Sequence, residues 1–482
     1  MRRHRVVMVL AGAAVVWCAA LLAVTAGPAA PAAVQAGTWR TAIEVPGLGA
    51  LNQGGQALLT SVSCASAGNC AAGGTYTDGS GHTQAFVVRE VNGTWRGAFE
   101  VPGSGVLNAD GVGGVNSVSC ASAGNCAAAG SYTDGSGHRQ AFVASETNGI
   151  WKKAMEVPGS GTLNKGGSAS PSSVSCASAG NCAAVGVYLD GSFRSQVFMV
   201  SETNGTWGKA IKMPFSGILN WGGSASVSSV SCASAGNCAA GGFYRDFSNS
   251  TQAFVVSKAN GIWGTAIEVP SSGILNWDGS PSVSSVSCAS ASNCTAAGDY
   301  RDFFGHSRAF VVREKDGTWG KAIELPGSAI QDEASAASVS SVSCASAGNC
   351  AAGGTYNDAL GLSQAFVVSK ANGVWGTAVE VPGTGALNAG GFAIVTSLSC
   401  RALNNCTAGG FYMDGSDHEQ VFVVSETNGT WGNAIEIPGS GALNAGDARV
   451  TSVSCGSVGN CAVGGTYTDS SGHTQAFVVS QV

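Results

Sequence analysis

Short apolar stretches alternate with clusters of Gly, Ser and Asn along nearly the whole chain, and the pattern returns every 56 residues. One unit holds four strand-like segments. In the first unit they are 61–64 (SVSC), 70–76 (CAAGGTY), 84–89 (QAFVVR) and 94–101 (TWRGAFEV), named a, b, c and d below. Their β-branched and aromatic content and their short length suit strands and not helices. Segment c is apolar on both faces, as a strand sandwiched between neighbouring sheets must be. The Asn92-Gly93 dipeptide between c and d predicts a type I′ turn, because both central residues need positive φ. A short ASAGN loop joins a to b. A proline ends every d segment, from Pro46 to Pro438, where a missing N–H costs little.

Eight tryptophans keep the step: Trp39, Trp95, Trp151, Trp207, Trp263, Trp319, Trp375 and Trp431. A fixed period of this length is the mark of solenoids and propellers. After residue 36 the chain opens with a d segment, 38–45, that has no a, b or c before it. It closes with a, b and c, 451–479, and no d after them. The two parts complete one blade. The expected fold is therefore all-β: residues 37–482 form a single eight-bladed β-propeller of four-stranded antiparallel blades. Its ring closes when the N-terminal strand joins the last blade and hides the sheet edge. An open solenoid would want a distinct polar cap at each end.

The motif S-E-T-N-G-T-W at 201–207, with its copies, follows S-C-A-S-A-G-N-C in the repeat. In this the units resemble those of secreted Asp-box (BNR-type) propellers, the group that includes sialidases, sortilin-like receptors and photosystem-assembly-factor-like proteins. Thr203 stands where the box has its Asp, and the Gly-to-Trp gap is one residue shorter. The resemblance implies the propeller fold and singles out no member of the group.

Residues 1–36 read as an export signal: Arg2, Arg3 and Arg5 precede an apolar stretch, 6–26, with cleavage after Ala26 or Ala36. A retained membrane anchor is the alternative, since the stretch is about long enough to span a bilayer. Loss of the three arginines takes the formal charge from −6 to −9. That balance argues against nucleic acid, which demands a basic face. No polybasic segment suggests membrane contact beyond the signal. Of the 17 cysteines, Cys18 lies in the signal. The rest form eight C-x5-C pairs: Cys64/Cys70, Cys120/Cys126, Cys176/Cys182, Cys232/Cys238, Cys288/Cys294, Cys344/Cys350, Cys400/Cys406 and Cys455/Cys461. In an exported chain such pairs read as disulfides. Their expected task is to staple the a–b hairpins against fraying and proteolysis. Zinc, the competing reading, prefers closer spacing and His partners in register. The expectation is a secreted, extracellular monomer with no cofactor and no metal.

The b–c loops carry Y-x-D in every repeat, from Tyr76/Asp78 to Tyr467/Asp469. A ring of acids suits Ca²⁺, but an Asp capping its own turn is the preferred reading. His82, His138, His306, His418 and His473 share one loop position, too far apart around a ring to meet on one substrate. The d segments carry Glu44, Glu100, Glu156, Glu268, Glu324, Glu380 and Glu436, with Lys212 the exception; these read as edge charges that discourage sheet pairing. No nucleophile elbow, zinc motif, P-loop or dinucleotide fingerprint occurs, and no catalytic residue emerges.

Departures from the repeat cluster in one sector. They are Phe215, Trp221, Arg245, Phe247, Trp277, Arg301, Phe303 and Phe304. In a closed ring these residues share the face of the b–c loops and d-to-a links. Flat aromatic rings beside Arg suit sugar rings or a partner's apolar anchor; a recent duplication of one blade is the alternative origin. The functional expectation is a non-catalytic binding or scaffold propeller that recognises an extracellular glycan or a surface protein. A polysaccharide-active hydrolase or lyase and a purely structural surface protein are the alternatives. One prediction concerns the cysteines. Loops this short give each disulfide only about 2 kcal/mol of entropic stabilisation. Reduction should therefore leave the β-sheet circular dichroism largely intact at room temperature, and complete unfolding on reduction would refute this.

Overall fold

The computed structural model describes Met1 and residues 37–482, except 216–218, 276–279 and 329–335. The expected export signal lies outside the described residues. No helix among them is long and apolar enough to cross a membrane.

Eight antiparallel sheets make an eight-bladed propeller. Blade one shows the plan: strand a is Ala57–Ser66, b is Asn69–Thr77 and c is Thr83–Val91, and d comes in two pieces, Thr94–Trp95 and Phe99–Glu100. Blade eight takes strands Ala448–Ser457, Asn460–Thr468 and Thr474–Ser480 from the C-terminus and Ile43–Glu44 from the N-terminus. Ile43 pairs with Val478 and Glu44 with Phe477, and Thr38 and Val482 exchange backbone bonds of 2.8 and 3.0 Å. The ring closes as the orphan segments predict.

The turns follow their dipeptides. Asn92 and Gly93 hold φ of 49° and 75°, the pair of positive angles that a type I′ turn requires. The core is eight wedges, one per blade boundary. In the first, Phe86 and Val88 of blade one pack against Ala476 and Val478 of blade eight. Strand c is buried from both sides, as its apolar run implies: Ala85, Phe86, Val87 and Val88 are all buried.

All eight cysteine pairs are joined, each across its own a–b hairpin with Cα atoms 3.9–4.0 Å apart. Their surroundings correct the reading of them as hairpin staples alone. The second cysteine of each pair, on strand b, is buried: Cys70, Cys126, Cys182, Cys238, Cys294, Cys350, Cys406 and Cys461 are only 4–6% exposed. The first cysteine, on strand a, is buried in Cys64, Cys400 and Cys455 and half-buried in Cys120, Cys176, Cys232, Cys288 and Cys344. The physical reason is that strand b has a neighbouring blade over the face that carries these sulfurs. Cys70, Cys126, Cys182, Cys238, Cys294 and Cys406 each belong to an inter-blade wedge. Cys350 Sγ lies 3.7 Å from Thr295 Oγ1 and Cys461 Sγ 3.3 Å from Thr407 Oγ1, in each case a residue of the preceding blade. The strand-b sulfurs are therefore pieces of the core, while five of their strand-a partners stay half-buried at the rim.

Strand a lies innermost, against the a strands of its neighbours. Its outer partner is b, so its other edge carries N–H groups with no strand to bond. The two serines of S-V-S-C supply the partners. Ser61 Oγ accepts from Val118 N at 3.0 Å and Ser63 Oγ from Cys120 N at 2.9 Å, one blade on. The same two bonds recur at each boundary and end with Val62 N and Cys64 N donating to Ser452 and Ser454 of blade eight. They form two closed rings around the axis. A third ring lies outside, where the carbonyl of each strand-ending proline accepts from an alanine N–H of the next blade, as Pro46 does from Ala98 at 2.7 Å. Removing one serine hydroxyl strands a backbone donor, at a cost of about 1 kcal/mol. Ser229→Ala with Ser231→Ala should then lower the unfolding free energy by about 2 kcal/mol. Urea titration would read this, with exposed Ser80→Ala as a near-neutral control. An unchanged midpoint in the double mutant would show that the rings carry no stability.

Candidate functional site

The loop face is built on a repeated polar network. Asp78 Oδ1 accepts from the backbone of Ser80 and His82 at 2.9 and 3.0 Å, and its Oδ2 accepts from Gln84 Nε2 at 3.1 Å. The Y-x-D aspartates thus cap their own turns. Asn108 of the following link donates to Gln84 Oε1 at 2.9 Å and stitches blade one to blade two. His82, His138 and His473 pack over a glycine of the next link: a Cβ on Gly111 would lie 2.5 Å from the His82 ring. Among the described residues, no three His, Cys, Asp or Glu side chains gather as a metal site would require.

The d-strand glutamates do more than decorate an edge, which corrects the reading from sequence. Glu100 Oε2 accepts from Tyr76 OH at 3.3 Å. Its Oε1 accepts from Gly105 N at 2.9 Å and from Ser104 Oγ at 3.4 Å, at the start of the link helix Ser104–Leu107. One carboxylate anchors a buried tyrosine and caps a link.

Blade three lacks this clamp because Lys212 stands in place of Glu. A cavity of about 600 Å³ opens there, lined by Asp190, Arg194, Lys212, Phe215, Leu219 and Trp221 among others. Trp221 is 68% exposed. Phe215 is half-buried and forms the floor, edge-on to Phe254 at 5.5 Å and tilted against Tyr244 at 6.0 Å. Arg194 lies where other blades have His, with its stem across Gly223: a Cβ there would meet Arg194 Cδ at 2.6 Å. Asp190 is committed to its turn, accepting from Ser192 N, Arg194 N and Gln196 Nε2 at 2.9, 3.1 and 3.2 Å. Burial opposes its charge, but those bonds and nearby Lys212 outweigh it and hold the carboxyl below the usual aspartate range. Two cations therefore face the cavity beside one anion whose oxygens are already occupied.

The structure brings Phe215 and Trp221 to this cavity. Arg245 adjoins it, because Gly222 N donates to Arg245 O at 3.1 Å, and its guanidinium donates to Asn249 Oδ1 at 3.3 Å. Phe247 is exposed on the same loop. Phe303 and Phe304 stand exposed one blade further on, edge to face at 5.4 Å, and do not line the cavity. Arg301 is exposed at the start of their loop. Trp277 lies outside the described residues. Sequence reasoning did not name Arg194 or Lys212 as site residues. Their only signal was a break in register, Arg for His and Lys for Glu.

No protein-family model and no curated protein matches the chain. Similar solved structures exist. The β-propeller domain of the trilobed protease from Pyrococcus furiosus is 10% identical, with a TM-score of 0.41, over 78% of this chain and 97% of that one. A Hadza microbial sialidase is 11% identical, with a TM-score of 0.37, over 92% of this chain and 69% of that one. A polysaccharide lyase, an ulvan lyase, is 10% identical, with a TM-score of 0.39, over 85% of this chain and 96% of that one. At these identities and TM-scores the likenesses carry no argument about this chain, whose propeller fold stands on its own sheet topology.

Proposed function

We propose that this chain is a secreted, non-catalytic binding propeller whose cavity at blade three holds an acidic extracellular glycan. The observation that carries the reading is the pairing, in one concave space, of an exposed indole with two cations. The volume lies within the roughly 300–1,000 Å³ range of small-ligand sites. Trp221 offers a flat apolar face to a sugar ring, while Arg194 and Lys212 offer charge-assisted hydrogen bonds to a carboxylate or sulfate. Lys212 does two things at once: it removes the glutamate that clamps the link elsewhere, and it reverses the charge. A concave space of this size favours a ring over a flat protein surface. The chain is acidic as a whole, so a local pair of cations confines an anionic ligand to this sector.

Calorimetric titration of the purified protein with polyuronates, sulfated polysaccharides and neutral polysaccharides would test the reading, with product formation followed in the same samples. Acidic polymers should bind saturably and without turnover. Trp221→Ala and Lys212→Glu should each weaken binding about tenfold or more. Equal binding of neutral polymers, or indifference to both substitutions, would sink the proposal, and turnover would replace it with the enzyme reading.

A further inference from the structure

On the opposite face, where the a–b and c–d turns lie, each blade boundary buries one polar position near the end of strand c. At six of the eight boundaries its partner comes from the preceding blade, while between blades seven and eight Gln481 donates instead to Gly37 O at 3.1 Å. Ser480 Oγ donates to Glu90 Oε1 at 2.6 Å while accepting from Trp95 Nε1 at 2.9 Å. Ser145 serves Glu202 and Trp207 in the same way, at 2.7 and 2.9 Å. Between blades one and two the pair is ionic, with Arg89 Nη1 3.0 Å from Glu146 Oε1. Between blades three and four, Lys258 Nζ donates to Ser201 Oγ at 2.6 Å. Each of these buried charges meets a carboxylate, a guanidinium or a hydroxyl.

The boundary between blades five and six breaks the rule. There Arg313 stands at the position of Arg89, and Lys370 at the position of Glu146. Lys370 is only 2% exposed. Arg313 Nε is buried with no hydrogen-bond partner. Among the described residues, neither side chain belongs to an ion pair. Arg313 nonetheless reaches over the turn of blade six, with Nη1 3.7 Å from where a Cβ on Gly373 would sit, much as Arg89 reaches over Gly149. Lys370 Nζ lies 5.5 Å from the ring centre of Trp375. Burial, reinforced by the Arg313 charge, pushes the lysine down to about 8. Like charges buried together are costly unless a counter-charge joins them.

We propose that a small oxyanion, inorganic phosphate or sulfate, binds between blades five and six, held by Arg313 and Lys370 where Glu146 places its carboxylate between blades one and two. Arg313 offers a planar fork with a spare Nε–H, and Lys370 offers three rotatable donors. The site is separate from the glycan cavity and stands or falls independently of it.

Equilibrium dialysis of the purified protein against labelled phosphate, at constant ionic strength with chloride, reads the site directly. Wild type should take up one saturable equivalent that Lys370→Met and Lys370→Glu both lose, with affinity falling about tenfold or more. Lys370→Glu supplies its own anion, as Glu146 does, so its urea midpoint in phosphate-free buffer should exceed that of wild type. No saturable uptake by wild type, or uptake equal in wild type and both variants, would overturn the proposal.

Discussion

The free inner edge of strand a is the constraint on which the ring depends. A β-sheet edge presents unpaired N–H groups, and eight of them converge on the axis here. Water could serve them, but it would not fix the angle between blades. A serine hydroxyl from the preceding blade does both jobs, since it accepts from Val118 N or Cys120 N while its own strand holds the reach constant. Because serine is short, two bonds per boundary set the spacing of a strands. The proline carbonyls set the spacing of d strands outside. The apolar wedges between blades, with the strand-b sulfurs among them, then fill a gap whose width is fixed at both ends.

That arrangement explains where the molecule can vary. Residues that bridge blades recur because each change would disturb two sheets at once. The d-strand glutamate belongs to this set, holding both a tyrosine and a link helix. When blade three gives it up for Lys212, the loss falls on one link and the barrel of strands is untouched. The resulting space acquires an indole and two cations. Scaffold and site are separated by the same geometry, with the rings inside and the links at the rim.

The two faces handle charge differently. On the loop face each Y-x-D aspartate is spent on its own turn, and the blade-three cavity presents Arg194 and Lys212 rather than a ring of acids. On the disulfide face charges are buried between sheets and must be matched locally. Carboxylate with hydroxyl, carboxylate with guanidinium and ammonium with hydroxyl all satisfy that demand. Arg313 opposite Lys370 does not, and the mismatch can be recognised only because other boundaries show what a match looks like.

The sequence alone determined the repeat, the four strands, the I′ turns, the cysteine pairing and the closure of the ring. Each depends on local pattern: a period of two within strands, Asn-Gly at a turn, or a d segment missing at one end and supplied at the other. The aspartate caps were legible for the same reason, since their partners lie two to six residues away. The roles of Ser61, Ser63 and the d-strand glutamates were not. The serines act on a strand about 57 residues distant, and a hydroxyl in a strand carries no sign of which backbone it will meet. Pairing Cys64 with Cys70 is a local matter, but burying Cys70 takes the blade packed beside it. Phe215 looked like a ligand-facing ring until packing placed it half in the core against Phe254. Arg194, Lys212 and Trp221 became one site only when a b–c loop, a d strand and a link were folded onto the same rim. Contacts between blades depend on the closed ring, and only the tertiary structure could decide them.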